Sequence, residues 1–375
     1  MSPNLGQLPR TKPIPLSRCV LRLTGMCLAL LVWLSVSIAG ASAQNRVPLT
    51  LAAAEDLALN QEPGQTGLLA RAAAFEEESV VAGQLPDPTL RVGLANFPIQ
   101  SGGFSTEGMT QAQIGIRQAF QPGESRAAST RQFQSLAREM RESADGRGRD
   151  VLSFVRQAWL ETYYWQRAYA IVDQSRPFFA DLVTVTQSMY SVGRKDQQDL
   201  LRAELELSRI DDRLIDINNR HAHAIAELSE WIGIDAHRPV AEVLPSWQQI
   251  PTLEVLRASL GTHPALNAAD ARLEAQQAAV DLAEERFKPG WAVDFGYGYR
   301  DGFMPNGDPR SDFVSLSVSM DLPVFRKNRQ DRKLAAALGQ RRAASDSREE
   351  LYRRLNSRLE AEYTQFLDIN RRIEL

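Results

Sequence analysis

Two segments in the second half of the chain alternate with period two. In 291–300, Trp291, Val293, Phe295, Tyr297 and Tyr299 are separated by Ala292, Asp294, Gly296, Gly298 and Arg300. In 313–321, Val314, Leu316, Val318 and Met320 are separated by Ser315, Ser317, Ser319 and Asp321. Such alternation predicts half-buried β-strands. Their length suits a tilted membrane-spanning strand of roughly 9–11 residues. A face of small and polar residues opposite an aromatic face suits a barrel with a wet lumen. Trp291, Val293, Phe295, Tyr297, Tyr299, Val314, Leu316 and Val318 are therefore candidates for a lipid-facing side. Asp294, Arg300, Ser315, Ser317, Ser319 and Asp321 are candidates for a pore lining, where they could also pair with one another. Two fainter segments, at about 90–97 and 113–120, alternate in the same way. The Gly-, Ser- and Asp-rich stretches 98–110 and 301–312 read as loops at the outer end of the strands.

An ordinary soluble sheet gives the same local pattern. The context favours the barrel. The strands form two hairpins separated by nearly two hundred mostly helical residues, and a lone hairpin is not stable in water. Four strands cannot close a barrel, and an open sheet edge cannot sit in lipid. Several chains must therefore pool their strands.

The rest of the pattern is helical. Residues 125–190 are helix-forming, enough to reach about 100 Å at the α-helical rise. Gly146 and Gly148 weaken that stretch, and Pro177 is expected to kink or break it. In the following helix Leu200, Leu207, Leu214, His221 and Leu228 recur every seven residues. Ala203, Ile210, Ile217, Ala224 and Trp231 fill the other core position, a coiled-coil heptad. The charged residues between them read as a solvated face with ion pairs. Between the two helices, Gly193 suits a left-handed helix stop and Asp196 an N-cap, with Asp199 three residues on. Tyr190, Gly193, Arg194, Asp196 and Asp199 form the candidate tip of a helical hairpin.

The chain repeats itself. Pro63 and Pro264, Pro88 and Pro289, and Pro122 and Pro323 are each 201 residues apart. Each pair stands at the same kind of boundary, which indicates two copies of one unit. Pro63 and Pro264 each close a short helical segment. Ala-rich helices follow, at about 67–85 and 266–287, then two strands, then a long helix. The organisation reads as a first repeat at 44–233, a connector at 234–251 and a second repeat at 252–375. The second copy's own tip would fall beyond Leu375, so the second repeat reads as incomplete.

The N-terminus changes the compartment. Arg10, Lys12, Arg18 and Arg22 precede an apolar run to Ile38, and then Ala41-Ser42-Ala43. This is the form of a secretory signal peptide, 1–43, cleaved after Ala43. Both cysteines, Cys19 and Cys27, lie within it. The remainder therefore has no disulfide and no thiolate chemistry. Four of the 43 basic residues and none of the 46 acidic ones fall in the leader, so the remainder carries a net charge of −7. That balance argues against a general nucleic-acid binder. The four histidines offer no metal-ligand spacing, since His221 and His223 do not share a helix face. No phosphate loop or nucleophile motif appears, so no cofactor is expected and the chain does not read as an enzyme.

At this point the chain resembles the TolC-like outer membrane efflux proteins. The resemblance rests on Tyr190, Gly193, Asp199, Leu201 and Ala203 at the tip, and on Leu228-Ser229-Glu230-Trp231-Ile232-Gly233 at the close of the second long helix. It continues in His263-Pro264-Ala265-Leu266, Lys288-Pro289-Gly290-Trp291 and Asp321-Leu322-Pro323-Val324-Phe325. It implies a mainly α fold with a small β part. Long coiled-coil helices would form a periplasmic α-barrel, and four strands per chain would join a twelve-stranded outer-membrane β-barrel in a homotrimer. It further implies passive export of small molecules or metal ions in a tripartite efflux or type I secretion-like system of a Gram-negative cell. Partners would be a second and third copy, a periplasmic adaptor, an inner-membrane pump of the resistance–nodulation–division type, and outer-membrane lipid. The run Gln197–Arg202 resembles the heavy-metal-exporting branch.

The alternative is a periplasmic coiled-coil adaptor or scaffold. Adaptors carry one helical hairpin between β-rich halves, whereas this sequence shows a duplicated strand–helix unit. A periplasmic hydrolase would need a convergent catalytic cluster, and the sequence shows none.

Overall fold

The computed structural model describes residues 47–60, 62–246 and 250–375. The signal-peptide expectation for 1–43 lies outside these residues. In chain order the elements are α1 (Leu51–Asn60), α2 (Pro63–Ala82), β1 (Thr89–Ala95), β2 (Gln111–Phe120), α3 (Ser125–Ser191) and α4 (Gln197–Ile232). A 3-10 turn (Gly233–His237) follows, then α5 (Leu253–Ser259), α6 (Pro264–Glu285), β3 (Trp291–Tyr299), β4 (Phe313–Met320) and α7 (Gln330–Glu374). The order helix, helix, strand, strand, long helix thus occurs twice. The chain divides into two units, one of residues 47–60 and 152–246, the other of 62–151 and 250–375, with α3 contributing to both.

In the first unit α1, the later part of α3 and α4 share a core. Trp159 is fully buried, as are Val155, Ile217, Leu228 and Ile232. Its indole Nε1 donates to the carbonyl of Leu49 at 3.0 Å, which satisfies the one polar atom the ring brings inside. Leu49 in turn forms a parallel bridge with Val240, so part of the expected connector is paired to the start of the described chain. Ala203, Ile217, Ala224 and Leu228 are buried, as the heptad requires.

In the second unit the core is built from alanine. Ala128, Ala137 and Ala144 of α3, Ala271, Ala275 and Ala278 of α6, and Ala337 and Ala344 of α7 are all buried. Small side chains let helix axes approach closely, and ion pairs flank the seams. Arg131 pairs with Asp281 at 3.2 Å and Arg272 with Glu139 at 3.3 Å, while Arg138 meets Glu274 and Arg348 meets Asp270. Burial raises the Glu139 carboxyl above its ordinary value against the pull of Arg272.

Three expectations change. Pro177 does not break the helix: α3 is continuous through it. Proline removes a single ladder bond, and the helix on either side is long enough to carry the loss. Gly146 and Gly148 likewise lie inside α3, and at Gly148 the surrounding space gives a reason. A Cβ at Gly148 would stand 3.1 Å from the Gln65 side chain, whereas one at Gly146 would make ordinary contact with Pro264 at 3.9 Å. Finally, Pro63 and Pro264 do more than close the segments before them. Each is the first residue of the next helix, where its missing N–H is no loss. The preceding residues, Glu62 and His263, cap those helices by accepting from the amides of Gln65 and Ala265 at 2.6 and 3.2 Å.

Candidate functional site: a two-faced sheet and a helical tip

The four strands form one antiparallel sheet in the order β1-β2-β3-β4. The two hairpins are therefore not isolated: β3 pairs with β2 along its whole length, from Ala112↔Tyr299 to Phe120↔Trp291. The sequence shows each hairpin's alternation, but pairing between hairpins so far apart leaves no local signal.

The register sorts the side chains. Val92 lies opposite Ile114, Ile114 opposite Tyr297 and Tyr297 opposite Val314. Leu90, Ile116, Phe295 and Leu316 form the next such row. Since directly paired residues share a face, these rows and the flanking Trp291, Val293, Tyr299 and Val318 build one apolar surface. Gly93, Gly115, Gly296, Gly298, Ser315, Ser317 and Ser319 lie on the other face with Arg91, Arg117 and Asp294. That second face borders a hollow of about 790 Å³. The apolar face is open: Val92 is 75 %, Leu316 72 %, Val314 67 % and Val318 65 % exposed.

Asp294 sits between two arginines, 3.3 Å from Arg91 and 3.6 Å from Arg117. Arg117 also donates to Ser319 Oγ at 3.2 Å. The sequence offered Arg300 as the partner of Asp294 and Asp321, and it does not take that part. Arg300 lies one residue past β3, over the Phe313 ring at 3.8 Å, and donates to the carbonyls of Ser311 and Gly108. Asp321 lies one residue past β4, and its amide donates to the Gly290 carbonyl at 2.8 Å. Arg91 and Arg117 were legible only as polar positions on the small-residue face. Their convergence on Asp294 requires the β2–β3 pairing.

The loops at the far end of the hairpins are tied together. Arg310 donates through one guanidinium nitrogen to the carbonyls of Ser105, Glu107 and Asp301, at 3.1 to 3.2 Å. Tyr297 donates to the Asp312 carboxylate, which also accepts from the Arg300 amide at 2.9 Å.

The helical turn takes the geometry its residues imply. Gly193 has φ +71°, its amide donates to the Tyr190 carbonyl at 3.0 Å, and the Arg194 amide donates to Met189 at 2.8 Å. These two bonds make a Schellman stop. Asp196 stands at the N-cap of α4 in extended conformation, but its side chain makes no capping bond. Its carbonyl accepts from the Asp199 amide instead, and the Asp199 carboxylate pairs with Lys195 at 3.2 Å. Tyr190 is exposed.

Among the described residues no cluster of three or more His, Cys, Asp or Glu side chains is placed to hold a metal ion. Nor is any described helix long and apolar enough to cross a membrane, a statement that concerns helices alone. His221 occupies its heptad position with Nε2 buried and without a hydrogen-bond partner, and burial lowers its pKa.

A two-faced four-stranded sheet set between duplicated long helices is a specific combination. Residues 255–375 match the outer membrane efflux protein family. The relatives are consistent with it. Protein CyaE of Bordetella pertussis is 25 % identical over 292 residues, which cover 74 % of this chain. The chain spans 60 % of the length of that relative. A membrane protein of Pseudomonas aeruginosa superposes with a TM-score of 0.68 at 16 % identity, over 85 % of this chain and 77 % of that one. The outer membrane protein VceC of Vibrio cholerae gives 0.67 at 14 % identity, over 86 % and 80 %. These superpositions show that the chain shares the fold of those two proteins, helices and strands together.

Proposed function

We propose that the chain is the outer-membrane channel subunit of a tripartite efflux or type I secretion-like system. It would act as a passive duct for small molecules or ions across the periplasm and outer membrane. The observation that carries this reading is the register of the sheet. It gathers the apolar side chains of four strands on one exposed face and glycines, serines and charges on the other. In water such a face would be an uncovered patch, whereas in a bilayer it is the required exterior.

The same sheet argues for an oligomer. β1 and β4 are the outer strands of the sheet, and a strand edge cannot be left open in hydrocarbon. Three chains would contribute twelve strands and pair β4 of one copy with β1 of the next. Trp291, Val293, Phe295, Tyr297, Tyr299, Val314, Leu316 and Val318 would then face lipid. Asp294, Ser315, Ser317 and Ser319 would face the lumen, with Arg300 and Asp321 at its two ends. The chain organisation is read as two repeats, 44–233 and 252–375. The exposed turn at Tyr190, Gly193, Arg194, Asp196 and Asp199 would meet a periplasmic adaptor carrying an inner-membrane pump. An adaptor itself would have no use for the apolar face of the sheet.

The test is membrane fractionation of the expressed chain, followed by the mass of the detergent-extracted particle. A trimer in the outer-membrane fraction is the expected result. A monomer that stays in the soluble periplasmic extract would overturn the channel reading.

A further inference from the structure

The small-residue face of the sheet carries an uncompensated charge. Its strand residues include two cations, Arg91 and Arg117, and one anion, Asp294. One carboxylate cannot neutralise two guanidinium groups, so each chain keeps a surplus of one positive charge there. The three groups differ in access. The side chain of Asp294 is 19 % exposed, while those of Arg117 and Arg91 are 36 % and 61 % exposed. The carboxylate is thus the covered member, and the cations stand over it toward open space. Gly93 faces open space, and Arg91 and Asp294 line a hollow of about 790 Å³.

The charges just past the strand ends leave the surplus at one. Asp321 follows β4 two residues after Ser319, to which Arg117 donates, so its carboxylate offsets part of the field of Arg117. Arg300 follows β3 at the other end and donates to the neutral carbonyls of Ser311 and Gly108, which leaves its positive charge in place. The face with its two ends thus holds three cations and two anions.

We infer that Arg91, Asp294 and Arg117 form a charge filter that makes the lumen favour anionic solutes over cationic ones. The inference rests on the channel reading, in which three such groups would line one ring. A low-dielectric wall strengthens the field of such a ring on passing ions. The solute class favoured is small anions, from chloride to organic carboxylates and phosphates. Arg91 and Arg117 supply the attraction. Asp294 positions both and limits their strength.

The experiment is reversal-potential measurement across planar bilayers containing the purified full chain, under a potassium chloride gradient. The wild type is expected to pass chloride in preference to potassium. Arg117→Gln and Arg91→Gln should each lower the chloride-to-potassium permeability ratio, by about twofold. Asp294→Asn should raise it. Arg117→Lys, which keeps the charge, should leave it near the wild-type value. Opposite signs for the Arg and Asp variants separate electrostatics from damage to the sheet, and particle mass confirms assembly of each variant. Conducting variants with an unchanged ratio, or Arg→Gln and Asp294→Asn shifts of the same sign, would overturn the filter while leaving the duct intact. An assembled wild type that passes no current would overturn the duct, and the filter with it.

Discussion

Single residues carry much of what can be tested. Gly193 holds φ +71° to close a Schellman stop, a conformation that costs a β-branched residue about 1–2 kcal/mol. Gly193→Val should leave the protein in the membrane but weaken export in a drug- or ion-tolerance assay. Undiminished export would remove the tip from the docking surface. His221 is a different case. Its imidazole pKa is lowered by burial, so the unfolded chain binds the proton more readily. Its contribution to stability is therefore complete above the ordinary value of about 6.5 and is lost as pH falls below it toward the folded value. His221→Leu should flatten that acid-side loss in thermal melts followed by circular dichroism. It should also add about 1 kcal/mol at neutral pH, because the buried Nε2 has no partner to lose. Both residues could be placed from sequence alone, because a turn glycine and a heptad position are local facts. The missing partner of His221, and the carbonyl that Trp159 finds on Leu49, could not.

At the scale of the element, heptads were legible where the pattern is dense and helix breakers misled where it is sparse. α4 was readable because leucine, isoleucine and alanine recur at both core positions over its whole length. α3 looked interrupted by Gly146, Gly148 and Pro177, yet it is one helix. Local propensity amounts to a few kcal/mol, which contacts along a long helix outweigh. Gly148 sits close under the Gln65 side chain, a contact between segments that no windowed reading of sequence contains. Pro177 is exposed, so replacing it changes little packing. Pro177→Ala should therefore stabilise the helix by up to about 3 kcal/mol, read as a raised urea midpoint of the helical signal. No change would mean that the backbone around Pro177 is already relaxed.

At the scale of the molecule the decisive feature is that both hairpins share one sheet. The faces of each strand were readable from alternation, and the apolar positions and the small or polar positions of the strands fall on opposite sides as their spacing implies. The convergence of Arg91 and Arg117 on Asp294 was not readable, since it depends on a pairing between strands some two hundred residues apart. The two-sidedness gives a sharp contrast between neighbours. Leu316→Arg puts a charge on the apolar face and should cost about 2–4 kcal/mol near the bilayer midplane, with loss of membrane-inserted protein. Ser317→Arg, one residue on, should leave insertion unchanged. Equal yields of the two variants in the outer-membrane fraction would count against the proposed orientation of the sheet.

The seam between β2 and β3 has a historical consequence. On the two-copy reading it would join a hairpin of the first copy to a hairpin of the second, with the same antiparallel sense in which β4 of one chain would meet β1 of the next. An ancestor half as long, with one hairpin per gene, would have closed the same ring from six identical subunits. Duplication and fusion would then have halved the number of pieces to be gathered. They would also have freed the two copies to diverge, so that Arg91 and Arg117 could arise on one hairpin and Asp294 on the other. On this view the charge asymmetry inside the sheet is a product of broken sixfold symmetry, open to the lineage only after the gene doubled.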